Sequence, residues 1–212
     1  MEINPLIIFG SKETGQVALE ICNSNDLVVF CFLDDDKKEH KKEYGAITVM
    51  GSTEDEEYLK FLGKKCDAFI AVDNLKERRF ISEMLVDEKK IKPISLLHKE
   101  VVISQSATIG DGTLINAGSV IGTQAKIGDN AIIQNRVVVE AFAEVQDFVQ
   151  LCSGVIVGQG AVVEEGAFIG TGAILVPGVR VGKNSRVGAG SLVATNVKAG
   201  KTVFGNPAAE IK

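Results

Sequence analysis

From Ile103 to Val193 every sixth residue is Ile, Leu or Val, sixteen positions without an exception. The series runs Ile103, Ile109, Ile115, Ile121, Ile127, Ile133, Val139, Val145, Leu151, Val157, Val163, Ile169, Leu175, Val181, Val187 and Val193. Two residues ahead of each aliphatic, from Ala107 through Ala125, Val137, Ala161 and Ala173 to Ser191, stands a small or β-branched residue. Glycine often follows the aliphatic, as at Gly110, Gly122, Gly128, Gly158, Gly170, Gly182 and Gly188. A period of six suits neither an amphipathic helix nor a hairpin sheet, but it suits a parallel β-helix. Each hexad lays one short strand on one flank, points its aliphatic inward and turns a corner, where the glycines are expected to carry the strained backbone. No coil hides its apolar face alone, so the stack must form as a unit.

The first hundred residues have another texture. Leu6-Ile7-Ile8-Phe9 and Ala68-Phe69-Ile70-Ala71-Val72 read as buried strands, with Val28 to Leu33 between them and Ile47 to Gly51 as a further short strand. Helices are expected from about Thr14 to Asn23 (apolar face Val17, Ala18, Ile21), after a Ser52 or Thr53 cap through Leu62, and from Leu75 to Val86. The charged run Lys37 to Glu43 reads as a solvated loop. Alternation of strands and helices implies a small parallel, Rossmann-like sheet. The expected division is therefore 1–97, an α/β domain, and 98–212, a hexapeptide-repeat β-helix. Ligands of such sheets sit beyond the carboxyl ends of the strands, which selects Gly10, Ser11, Thr14, Gly15, Asp34, Asp35, Asp73 and Asn74 as candidate substrate-binding residues. The loop Gly10 to Gly15 is neither a Walker loop nor the dinucleotide fingerprint. It reads equally as a tight turn beside a solvated acidic strand end.

A net charge of −5 argues against nucleic acid as the main partner. No stretch approaches 18 apolar residues, so membrane insertion is not expected, and Met1-Glu2-Ile3-Asn4-Pro5 lacks the basic start of a secretory leader. Cys22, Cys31, Cys66 and Cys152 have no metal spacing and are expected to be buried, reduced thiols of a cytoplasmic protein without a metal.

Several stretches together resemble the bacterial hexapeptide-repeat sugar acetyltransferases, the group of UDP-amino-sugar N-acetyltransferases and sialic acid O-acetyltransferases. They are the glycine loop, Phe32-Leu33-Asp34-Asp35, Ile70-Ala71-Val72-Asp73-Asn74, Leu97-His98-Lys99 with Ile103-Ser104, the hexads, and Val203-Phe204-Gly205-Asn206-Pro207-Ala208. The resemblance implies a left-handed β-helix, a homotrimer, a sugar or nucleotide-sugar site on the N-terminal domain, and acetyl-CoA as co-substrate in the groove between neighbouring β-helices. It places cofactor contacts at Gly170, Gly172, Ala173, Gly188, Gly190 and Lys201, with Lys183, Arg186 and Lys198 near the CoA phosphates.

It also exposes a gap. Ala141 stands where the family's general-base His belongs, Phe142 where the acidic partner of that His belongs, and Gln150 where a second His is expected. Thr14 replaces a loop His, with Glu13 for the neighbouring glycine, and the chain holds only His40 and His98. Glu140 adjoins the vacated position and is the first candidate substitute, ahead of Glu144, Asp147, Glu164 and Glu165; Cys152 is a remote candidate acyl carrier. The expected activity is transfer of an acetyl or related acyl group from CoA to a sugar or nucleotide-linked amino-sugar in glycan biosynthesis. The alternative is a non-catalytic trimeric relative that binds nucleotide-sugar or CoA without turnover. A purely structural β-helix such as an ice-binding face needs outward threonine rows, which Thr108, Thr113, Thr123 and Thr171 do not form.

Overall fold

In the computed structural model, which describes residues 4–211, the chain divides into two compact units, Met1–Leu96 and Leu97–Lys212. Met1 to Ile3, part of the stretch read above for a leader, lie outside the described residues.

The first unit is built on β1 (Leu6–Phe9), whose four residues are all fully buried. After β1 come α1 (Glu13–Ser24), β2 (Val29–Leu33), β3 (Glu43–Tyr44), β4 (Ile47–Gly51), α2 (Glu56–Leu59), β5 (Asp67–Ile70) and α3 (Leu75–Glu83). The sheet order is β3-β4-β2-β1-β5, parallel except for the antiparallel β3–β4 pair. The chain runs from β1 to one side and returns to the other with β5, so the crevice opens at the carboxyl ends of β1 and β5.

Four local expectations change. Part of the charged run pairs as β3, because Tyr44 closes a hairpin onto Ile47. The α2 cap is Asp55, whose carboxylate accepts from the Glu57 amide at 3.0 Å, because Thr53 is engaged elsewhere and Ser52 lies too early. In α1 the inward face includes Leu19 and Cys22, while Val17 is only half-buried. Beyond Glu83 the third helix widens to a π-turn, Met84–Glu88.

The second unit is a left-handed parallel β-helix with three flat faces, each coil taking eighteen residues. The first face stacks Val102–Ile103, Val120–Ile121, Val138–Val139, Ile156–Val157, Ile174–Leu175 and Leu192–Val193. Thr108–Ile109, Lys126–Ile127, Glu144–Val145, Val162–Val163 and Arg180–Val181 form the second. The third begins with Leu96–Leu97, runs from Leu114–Ile115 through Gln150–Leu151 to Arg186–Val187 and ends in the antiparallel hairpin Thr202–Gly205 with Ala208–Glu210. From Ile115 to Val193 every hexad aliphatic is buried, and Ile103 and Ile109 of the first coils pack half-buried against that core. Polar members of the small register are buried with partners: Thr113 donates to the Gly128 carbonyl at 2.8 Å and accepts from the Ala131 amide at 3.0 Å.

The glycines after the aliphatics do not carry the strained backbone. Left-handed φ falls two residues later, at Gly172 (φ 68°) and equally at Gln124, Asn130, Arg136, Phe142, Phe148 and Asn184. A Cβ on Gly122 would instead lie 2.8 Å from the Ala141 amide nitrogen of the next coil. Glycine is used there because two backbones approach, not because φ is unusual.

Candidate functional site

At the carboxyl ends of β1, β2 and β5 lies a cleft of about 650 Å³. Gly10 makes its floor possible: with φ at 98°, a Cβ there would meet the Ala71 carbonyl at 2.6 Å. Gly15 opens α1 against the Gly10 carbonyl, again without room for a side chain. Five of the eight candidates from the sequence line this cleft, namely Gly10, Asp34, Asp35, Asp73 and Asn74. Ser11, Thr14 and Gly15 are buried and do not line it.

Those three hold the lining in shape. Ser11 donates from its amide (2.8 Å) and its hydroxyl (2.7 Å) to one oxygen of Asp34, whose other oxygen accepts from the Asp36 amide at 2.9 Å. Asp35 accepts from the amide and hydroxyl of Thr53, both at 2.9 Å. The Thr14 hydroxyl donates to Asp73 at 2.8 Å, and Asn74 caps α3 by accepting from the Lys76 and Glu77 amides. The acidic strand ends thus line the cleft and at the same time hold its loops in place.

Lys12 and Glu13 of the Gly10–Gly15 loop also line the cleft, as do Lys76, Glu77 and the half-exposed Phe80, which the sequence did not single out. Lys12 pairs with Asp36 at 3.1 Å; the Asp36 carboxyl is held below its usual range by the Lys38 amide first and by Lys12 second. Behind the lining sits Arg78, 1 % exposed, donating to the carbonyls of Val72 (2.7 Å) and Asp73 (3.1 Å). Burial pushes its guanidinium down to about 10, with the Asp73 charge opposing. The only signal in the sequence was an arginine on the inward stripe of α3, three residues ahead of Ile81.

On the β-helix, Glu140, Ala141 and Phe142 share the corner between the first and second faces. Phe142 is 54 % exposed at φ 61°, a conformation the corner imposes on whatever residue occupies it. Glu140 is engaged: its carboxylate accepts from the Gln159 amide of the next coil at 2.7 Å. The same reach, nineteen residues forward, recurs from Gln146 to the Glu165 amide and from Glu164 to the Lys183 amide. After Gly110 and Gly128 the bond runs the other way, from the Asp111 amide to Asp129 and from the Asp129 amide to Asp147, both at 2.8 Å. Glu140 thus belongs to a repeating device that ties coil to coil.

Gln150 lies on the third face, opposite that corner in the same prism, so one chain does not bring it to Ala141. Gly170, Gly172, Gly188 and Gly190 stack at the corner between the third and first faces. Gly172 and Gly190 leave open space around a would-be Cβ, whereas Gly170 and Gly188 are filled by Ala189 and Phe204 respectively. Ala173 is fully buried in the core. Lys201 pairs with Glu210 and Lys183 with Glu165, Arg186 stacks 4.4 Å over the Phe168 ring, and Lys198 is exposed. Cys22, Cys31 and Cys66 are buried thiols as expected, but Cys152 at the corner after Leu151 is only half-buried. Among the described residues no group of three or more His, Cys, Asp or Glu side chains is arranged to hold a metal ion, and no helix is long and apolar enough to cross a membrane.

These two units match two known domain families: a PglD N-terminal domain over residues 5–85, and bacterial transferase hexapeptide repeats over residues 106–141 and 160–195. The chain is a hexapeptide-repeat protein with a PglD N-terminal domain, the architecture of bacterial sugar acetyltransferases. It is similar to the acetyltransferase domain of PglB from Neisseria gonorrhoeae, solved with acetyl coenzyme A, at 27% identity and a TM-score of 0.90 over 99% of this chain and 100% of that one. PerB from Caulobacter crescentus, solved with CoA and GDP-perosamine, matches at 25% identity and a TM-score of 0.82, covering 100% of this chain and 99% of that one. WeeI from Acinetobacter baumannii, at 22% identity, shares the fold with a TM-score of 0.87 over 98% and 99% of the two chains. No curated protein sequence matches.

Proposed function

We propose that the chain is an acyl-CoA-dependent acyltransferase that moves an acetyl or related acyl group to a sugar or nucleotide-linked amino-sugar in glycan biosynthesis. The observation that carries this reading is the end-to-end likeness to the PglB acetyltransferase domain holding acetyl coenzyme A. The cleft bounded by Gly10, Asp73 and Phe80 is the proposed acceptor-nucleotide site. The open corner at Gly172 and Gly190 gives a pantetheine arm access to backbone.

A homotrimer is part of the proposal. The outward column of the first face is Val102, Val120, Val138, Ile156, Ile174 and Leu192, aliphatic in every coil, and Val102 is 63 % and Ile174 42 % exposed in the single chain. The second face presents Thr108, Lys126, Glu144, Val162 and Arg180 instead. An unbroken apolar ladder beside a charged one favours burial against another copy. A second copy is also what allows the Ala141 corner of one chain to meet the third face of another, where Gln150 lies.

The test is release of free CoA thiol from acetyl-CoA with a panel of sugar nucleotides, GDP-perosamine and UDP-glucosamine among them, together with sedimentation of the free protein. Turnover and a particle three times 22.6 kDa support the reading. CoA binding without turnover across the panel moves the protein to the non-catalytic alternative. A monomer that does not bind CoA at millimolar concentration refutes both.

A further inference from the structure

The cleft of the first unit carries more negative than positive charge: six of its lining side chains are carboxylates and two, Lys12 and Lys76, are ammonium groups. Lys12 is paired, its Nζ 3.1 Å from Asp36 Oδ2, which ties the loop after β1 to the loop after β2. Asp36 first, with Asp34 and Glu39 beyond it, holds the Lys12 ammonium above its usual range, so it is charged throughout the neutral range. The pair opens easily. Its side chains are 56% and 36% exposed, and exposed pairs are worth no more than about fivefold in an equilibrium. Opening it strands neither partner. The other oxygen of Asp36 keeps the Lys38 amide at 3.0 Å. The Lys12 carbonyl accepts the Gln16 amide at 2.9 Å, so the backbone is held and only the four-carbon stem has to swing. Lys12 is also the cap residue of α1, where a side chain ordinarily accepts from the first-turn amides. An ammonium cannot accept, and no side-chain cap is made at the start of this twelve-residue helix. A helix start of that kind suits a phosphate.

We propose that Lys12 is the residue by which this cleft selects a nucleoside diphosphate: it exchanges Asp36 for the ligand's diphosphate. The inference rests on the nucleotide-sugar reading above. A charge-assisted bond to phosphate is worth about 10- to 100-fold, more than the exposed pair holds, so the exchange runs toward the ligand. Without it the ligand's negative charge meets six carboxylates with Lys76 alone to offset them. Asp36 is then a competitor for Lys12. It holds the ammonium in the free protein and lowers the affinity for any anion too weak to displace it.

The experiment is titration calorimetry of UDP, GDP, CDP and dTDP, and of the matching nucleosides, on the whole chain as wild type, Lys12→Gln, Asp36→Asn and the double variant. Lys12→Gln is expected to weaken the best-bound diphosphate by about 10- to 100-fold and to leave its nucleoside within about twofold. Asp36→Asn is expected to strengthen the diphosphate by up to about fivefold. That gain should shrink in the Lys12→Gln background, where only the like charge of Asp36 is removed. A pair that serves only to tether the two loops gives the opposite sign, with Asp36→Asn weakening diphosphate and nucleoside together. That result overturns the inference, and so does a Lys12→Gln affinity for the diphosphate within about twofold of wild type; both leave the nucleotide-site reading in place. Where a nucleoside binds too weakly to measure, the sign of the Asp36→Asn effect on the diphosphate decides. If no diphosphate binds the wild type at millimolar concentration, the nucleotide reading of the cleft itself fails.

Discussion

The two kinds of corner glycine should respond unequally to the same added methyl, and for different reasons. On Gly122 a Cβ would sit 2.8 Å from the Ala141 nitrogen, 2.9 Å from the Glu140 carbonyl carbon and 3.0 Å from the Val139 oxygen, all backbone of the next coil. Ordinary contact begins near ~3.5 Å, so the coils must part by about half an ångström where the Gly122 amide donates to Val139 at 2.8 Å. Overpacking of that size costs ~1–3 kcal/mol. At Gly172 nothing lies within 4 Å of a Cβ, but φ is 68°. Alanine there suffers only the left-handed penalty, ~1–2 kcal/mol. It regains ~0.4–1 kcal/mol because the unfolded chain is less free. Asparagine already holds the same corner position at 130 and 184, with φ of 53° and 55°. Gly172→Asn should therefore be close to neutral, Gly172→Ala mild and Gly122→Ala the most damaging. Urea unfolding at one fixed protein concentration measures the order through midpoints at constant slope. If Gly122→Ala is no worse than Gly172→Asn, the account of glycine as a spacer between coils is wrong.

Three further outcomes follow from local chemistry. Arg78→Leu removes the donor to the Val72 and Asp73 carbonyls and should cost ~1–3 kcal/mol; it should also weaken nucleotide binding at the cleft, read by calorimetry. Burial pushes the Cys22 and Cys31 thiols up to about 12, so neither should react with a thiol reagent at pH 8 until the protein is unfolded, and half-buried Cys152 should be modified first, as peptide mapping will show. Arg180 first, then the Lys183 amide, hold the Glu164 carboxyl below its usual 4.5. The contribution of Glu164 to stability is thus full above about 4.5 and is lost as pH falls through the lower folded value. Glu164→Gln should flatten that acid limb of the unfolding curve, and an unchanged limb would count against the assignment.

The β-helix was legible because its period is enforced at every coil: an inward position filled by a polar residue would cost burial eighteen residues above and below as well. Strand order in the first unit was less so, since β3 depends on the Tyr44–Ile47 pairing across Gly45, which hydropathy does not register. The cleft was found from Gly10 and the acidic strand ends, yet the roles inside it were not. Short polar residues at strand ends serve turns as well as ligands, and the bonds of Asp34, Asp35 and Asn74 to Ser11, Thr53 and the α3 amides were not legible in the sequence. Arg78 was hidden by its type, since arginine on a helix is ordinarily solvated.

Glu140 shows the same ambiguity from the other side. Beside Ala141, where the family resemblance expects a His, it looked like a replacement base, and its partner is set by the stack: residues 140, 146 and 164 each reach the amide nineteen positions on. At Gly110 and Gly128, which have no such side chain, the amides of Asp111 and Asp129 donate instead to Asp129 and Asp147 on the next coil. Each of these corners therefore carries one carboxylate or amide oxygen that bonds the neighbouring coil. Acid residues at β-helix corners are poor evidence for catalysis, and the functional signal must come from positions the ladder leaves free. At the corner between the first and second faces those are Ala141 and the half-exposed ring of Phe142, neither of which accepts a proton.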